Sequence, residues 1–76
     1  MVIYPNPAYD FINIEYISTI TSVRIMDAIG EIVYSARSSS NSISVLLKDI
    51  NQGRYLIEIS TTDGKFYRPL IIFRDK

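Results

Sequence analysis

Apolar and polar residues alternate along nearly the whole chain. Ile12, Ile14 and Tyr16 alternate with Phe11, Asn13 and Glu15, and Val23 and Ile25 alternate with Ser22, Arg24 and Met26. The same period runs through Ile43, Val45 and Leu47 and through Tyr55, Ile57 and Ile59. A period of two puts successive side chains on opposite faces of a pleated strand, so each run predicts a strand with one buried face. Enrichment in Ile, Tyr and Thr suits such a surface. The pattern predicts seven short strands, near residues 2–4, 11–16, 21–27, 31–36, 42–47, 54–61 and 66–74. No segment carries a convincing helical period, and Leu46 to Ile50 reads as a strand end running into a turn. Short strands with turn signals every ~8 to 12 residues predict an all-β fold, a small immunoglobulin-like β-sandwich of antiparallel strands.

Turn chemistry separates the runs. Asp27-Ala28-Ile29-Gly30 suits a type I turn, with Asp27 accepting local backbone hydrogen bonds and Gly30 taking a left-handed conformation. Asp63-Gly64 predicts a type I′ hairpin, and Asn51-Gln52-Gly53 another reversal. Arg37-Ser38-Ser39-Ser40-Asn41, too polar to pack, predicts a mobile loop. Near the start, Tyr4-Pro5-Asn6-Pro7-Ala8 fixes the backbone at two prolines and pushes Tyr4 and Asn6 into extended space. Asn6-Pro7 matches the first two positions of a type I turn, predicting a rigid corner whose missing donors suit an edge that should not pair further.

Composition narrows the function. A chain of 76 residues is one domain, and at that size folding removes only about 60% of the unfolded surface from water. With 47% hydrophobic residues and no cysteine, burial alone must stabilise it. Eight basic and eight acidic residues cancel, which argues against nucleic acid or an anionic membrane as partner. No basic, apolar leader is present and no apolar run reaches the ~18 residues of a membrane helix, so neither an export signal nor membrane insertion is expected. The absence of cysteine fits cytosol, periplasm and cell surface alike.

Chemistry is sparse. Without histidine or cysteine the commonest general base, thiol nucleophile and transition-metal ligands are missing, so no catalytic residue, cofactor or metal is expected. Asp10, Glu15, Asp27, Glu31, Asp49, Glu58, Asp63 and Asp75 are scattered over turns and strand positions expected to be exposed. Gly30, Gly53 and Gly64 lie in separate turns and form no phosphate loop. Among six tyrosines, Tyr16 and Tyr55 are in phase with buried aliphatics and read as core; Tyr4, Tyr9, Tyr34 and Tyr67 leave open an aromatic face for stacking sugar or nucleic acid. The run Phe66 to Arg74 is apolar on both faces near its end, while Pro69 favours an edge. Such a strand either invites a partner or is covered within the fold or by a parent protein.

The ordered series Tyr4-Pro5-Asn6-Pro7-Ala8, Asp27-Ala28-Ile29-Gly30, Ile50-Asn51-Gln52-Gly53-Arg54-Tyr55-Leu56-Ile57, Asp63-Gly64-Lys65 and a basic-apolar closing strand resembles the type IX secretion system C-terminal sorting domain, type A. The resemblance covers nearly the whole chain. It implies the last domain of a larger exported protein of Bacteroidota-type bacteria, folded as an immunoglobulin-like β-sandwich in the periplasm. It also implies recognition by the outer-membrane translocation machinery, then removal by a sortase-like peptidase as the upstream cargo is attached to surface lipopolysaccharide or released. By the same resemblance Pro5, Asn6, Pro7, Asp27, Gly30, Gly53 and Tyr55 sit on shared motifs. The terminal strand, with Arg68, Leu70, Ile72, Arg74 and Lys76, would belong to the recognised signal. Lack of an export leader fits a fragment of such a protein, Met1 being a start placed before it. Pro69 and Asp75 depart from the family's basic, β-forming tail. The competing expectation is an adhesive or carbohydrate-binding β-sandwich that ends a surface protein.

Overall fold

The computed structural model describes residues 1–74. Five strands form: β1 (Val2–Tyr4), β2 (Phe11–Met26), β3 (Ile32–Leu46), β4 (Gly53–Thr61) and β5 (Gly64–Ile72). All neighbours run antiparallel in one sheet, with β3 along one side of β2. On the other side of β2, β1 pairs near Asn13 to Glu15 and β4 pairs from Ile20 to Met26, with β5 beyond β4. Ladder irregularities between Glu15 and Ser22 divide β2 into two halves.

The fold is therefore all-β and antiparallel, as expected, but with five strands in one strongly bent sheet, a half-barrel, rather than seven separate strands. The predicted strands 11–16 and 21–27 are the two halves of β2, and 31–36 and 42–47 belong to β3. The serine run expected to be a mobile loop is the middle of β3. Serines can stay there because that edge is exposed, and their hydroxyls serve the strand's own backbone. Ser38 Oγ accepts from the Ser40 N–H at 3.2 Å and Ser40 Oγ from the Ser42 N–H at 3.2 Å.

One cluster draws on both halves of the bent sheet. Ile12 and Ile14 come from the first, Ile20, Val23 and Ile25 from the second, joined by Val45, Leu47, Ile57, Ile59, Leu70 and Ile72, all essentially without solvent contact. Burial of each such side chain is worth about 2 kcal/mol. Of the positions in phase with these, Ile43, Tyr16 and Tyr55 are only half-buried at the rim, as is Tyr34. Tyr16 and Tyr55 keep their hydroxyls on polar partners there, Asp63 Oδ2 at 2.9 Å and the Asn51 carbonyl at 2.7 Å.

Two turns differ in how closely they follow expectation. At Asp27 to Gly30, Asp27 Oδ1 accepts from the Ile29 and Glu31 N–H groups at 3.1 and 2.9 Å, Gly30 donates to the Asp27 carbonyl, and Gly30 has φ +90°. That left-handed backbone disfavours any side chain. In the last hairpin the connecting residues are Thr62 and Asp63 instead of Asp63 and Gly64. Gly64 already belongs to β5, opposite Thr61, and the Thr61 hydroxyl bonds to both the Asp63 N–H and the Gly64 carbonyl.

Candidate functional site

Residues 5–7 form a bend rather than the expected hydrogen-bonded turn, and the Tyr4-Pro5 and Asn6-Pro7 bonds are both cis. It lays the chain along the outer edge of β5. The Asn6 amide bonds as a peptide group would, Nδ2 donating to the Pro69 carbonyl at 3.0 Å and Oδ1 accepting from the Ile71 N–H at 3.2 Å. Fully buried Ala8 continues the pairing, its N–H to the Ile71 carbonyl and its carbonyl from the Phe73 N–H, both 2.8 Å. Ile71 and Phe73 thus turn their N–H groups outward. By the alternation of a strand the Pro69 nitrogen faces the same way, where no β4 bond needs a donor.

The terminal strand is consequently held from both sides. On its inner edge Gly53 stands opposite Ile72 and Tyr55 opposite Leu70. Beyond it, the Arg74 N–H bonds to Gln52 Oε1 at 3.2 Å, and the Arg74 guanidinium donates to the Tyr9, Leu47 and Ile50 carbonyls. A planar fork of five donors suits three carbonyls from two separate segments better than an ammonium would. Arg74 therefore ties the segment after β5 to Tyr9, beyond the corner, and to the β3–β4 connection.

Among the expected recognition residues, Pro5, Asn6, Pro7, Gly53, Tyr55, Leu70, Ile72 and Arg74 are thus brought around the terminal strand. Leu70 and Ile72 are core, Arg74 is turned onto the domain's own backbone, and Arg68 is exposed over the Phe66 ring at 5.7 Å. Asp27 lies away from the corner, in a shallow hollow shared with Ala28, Arg54, Tyr55 and Leu56. Lys76, like Asp75, lies outside the described residues.

Glu58 is a correction. Its place on the outer face of β4 predicts exposure, yet it is only 4% exposed. Arg24 and Tyr67, opposite it on β2 and β5, cover it, with Arg24 Nε at 2.6 Å and the Tyr67 hydroxyl at 3.0 Å, and Lys65 approaches to 3.7 Å. The Arg24 hydrogen bond above all, helped by Tyr67 and Lys65 and opposed by burial, pulls the Glu58 carboxyl down to about 2, while the hydrogen bond to Glu58, and then its charge, raises the Tyr67 phenol. Alternation alone could not show this, since it does not give the cross-strand register.

The tyrosines do not gather into one platform. Tyr4 donates to Glu15 at 2.6 Å beside β1, Tyr67 stands on β5, and Tyr9 tilts against Phe73 with ring centroids 6.1 Å apart at the end of the sheet. What the arrangement builds is a last strand secured on both edges of a small half-barrel. A scan against protein families matches residues 2–73 to the secretion system C-terminal sorting domain. The chain belongs to this family and is a C-terminal sorting signal for the type IX secretion system. Membership implies contact with that machinery, a cargo in the same chain and a secreted or cell-surface destination. Searches among curated proteins and solved structures each found no match.

Proposed function

We propose that the chain is a single non-enzymatic domain, residues 1–76, ending a larger exported protein of a Bacteroidota-type bacterium. It crosses the periplasm folded, is read by the outer-membrane machinery through β5 and the corner that secures it, and is then cut from its cargo by a sortase-like peptidase. The observation that carries this is the family match over residues 2–73, joined to a terminal strand that the fold fixes on both edges. Pro5, Asn6 and Pro7 shape the strand's outer edge, Gly53 and Tyr55 its inner edge, and Arg74 fastens its end. Arg68 is the charged group it offers outward, and Lys76 would extend the basic character. Asp27 and Gly30 hold the β2–β3 turn.

Deleting Leu70 to Lys76 from the parent protein, in a host that has the system, is expected to leave the cargo in the periplasm. Because Leu70 and Ile72 are core, an Arg68→Glu variant that keeps the fold accompanies the deletion and is expected to reduce delivery. Normal surface delivery of the truncated parent would refute the proposal.

A further inference from the structure

The chain is neutral as a whole, but its charges are not evenly placed. On the outer face of the β3, β2, β4 and β5 ladder, register sets Arg24 opposite Glu58, Arg37 opposite Ser22, Lys65 opposite Ser60 and Arg54 opposite Ile71. These positions alternate with buried Val23, Ile25, Ile57 and Ile59, so all four cations stand on the side away from the core. The ladder's single carboxylate on that side, Glu58, is submerged beneath Arg24, Tyr67 and Lys65. Four cations and one carboxylate leave a net of three positive charges, and Arg37 and Arg54 are exposed with no ion pair among the described residues. Asp27, in the hollow beside Arg54, marks the rim.

Apolar side chains cross the same face. Ile32, Met26, Leu56 and Pro69 lie in one register row over four strands, with Ile32 and Leu56 47% and 40% exposed. A partly exposed apolar row of this kind between cations fits a partner with an apolar patch flanked by carboxylates. We infer that this face, Arg37, Arg54 and Lys65 around the Ile32–Met26–Leu56–Pro69 row, docks an acidic protein surface. The inference rests on the sorting function proposed above and names the chemistry of the partner that reads the domain. A protein is favoured over an anionic membrane because lipid-surface recognition typically calls on a cluster of about four to eight free cations, and Arg24 is already neutralised by Glu58.

The test uses the full-length parent in a host with the system. R37E/R54E/K65E is expected to lower surface-delivered cargo about tenfold, with the domain's melting transition retained, and R37K/R54K/K65R is expected to restore delivery. If the reversed set does not fold, the neutral set R37Q/R54Q/K65Q replaces it, with a smaller loss of the same sign. Delivery by the folded charge variants within about twofold of wild type, while the parent truncated before Leu70 stays inside, would overturn the docking face and leave the sorting function standing. Normal delivery of the truncated parent would remove both. Binding of the purified parent to phosphatidylglycerol vesicles, lost in the charge variant, would assign the face to lipid and overturn the protein partner.

Discussion

Asn6 and Glu58 show how much a single side chain does in so small a domain. The Asn6 amide supplies one donor and one acceptor to β5 at a point where the main chain itself is turning through two prolines. Asn6→Ala removes both bonds and is expected to lower stability by about 1 to 2 kcal/mol in denaturant titration; an unchanged midpoint would contradict the role. Glu58 makes its contribution electrostatically. Its folded-state value of about 2 lies below the ordinary 4.5, so its contribution is fully present above the unfolded value and is lost as pH falls from about 4.5 towards 2. Glu58→Gln is therefore expected to destabilise the domain by about 2 kcal/mol at neutral pH, a difference that shrinks as the pH is lowered through that window. A pH-independent difference in chemical denaturation would be the contrary result.

At the scale of elements, the alternating pattern was enough to place the buried faces, because Ile12, Ile14, Val23, Ile25, Val45, Leu47, Ile57 and Ile59 all lie in the core. What it could not reveal was continuity. Residues 17–19 and 37–41 look like breaks because none of them is a buried apolar position, yet the backbone stays extended through both as β2 and β3 pass from one half of the sheet to the other. The Asn6 and Arg74 contacts were equally hidden, since they join residues 63 or more positions apart at Pro69 and at Tyr9. The motif order marked the corner as important without showing that it covers the edge of the last strand. Arg74→Ala leaves the Leu47 and Ile50 carbonyls without this donor and is expected to lower stability by about 2 kcal/mol. Arg74→Lys should recover only part of it when both variants are unfolded in a calorimeter, since an ammonium cannot span the three carbonyls as the fork does.

Taken whole, the molecule joins the corner before β2 to the end of β5 and the residue that follows it, through Ala8, Ile71 and Phe73. A sorting signal built this way presents its final strand as part of a folded surface, with Leu70 and Ile72 spent on the core and the outer edge already occupied. Amide hydrogen exchange followed by NMR tests this claim most directly. The Ile71 and Phe73 amides are expected to exchange as slowly as those of Val23 and Ile59, through opening of the whole domain. Exchange of Ile71 and Phe73 at the rate of an unpaired strand edge, with Val23 and Ile59 still protected, would show that the terminal strand is not secured and would contradict the assignment.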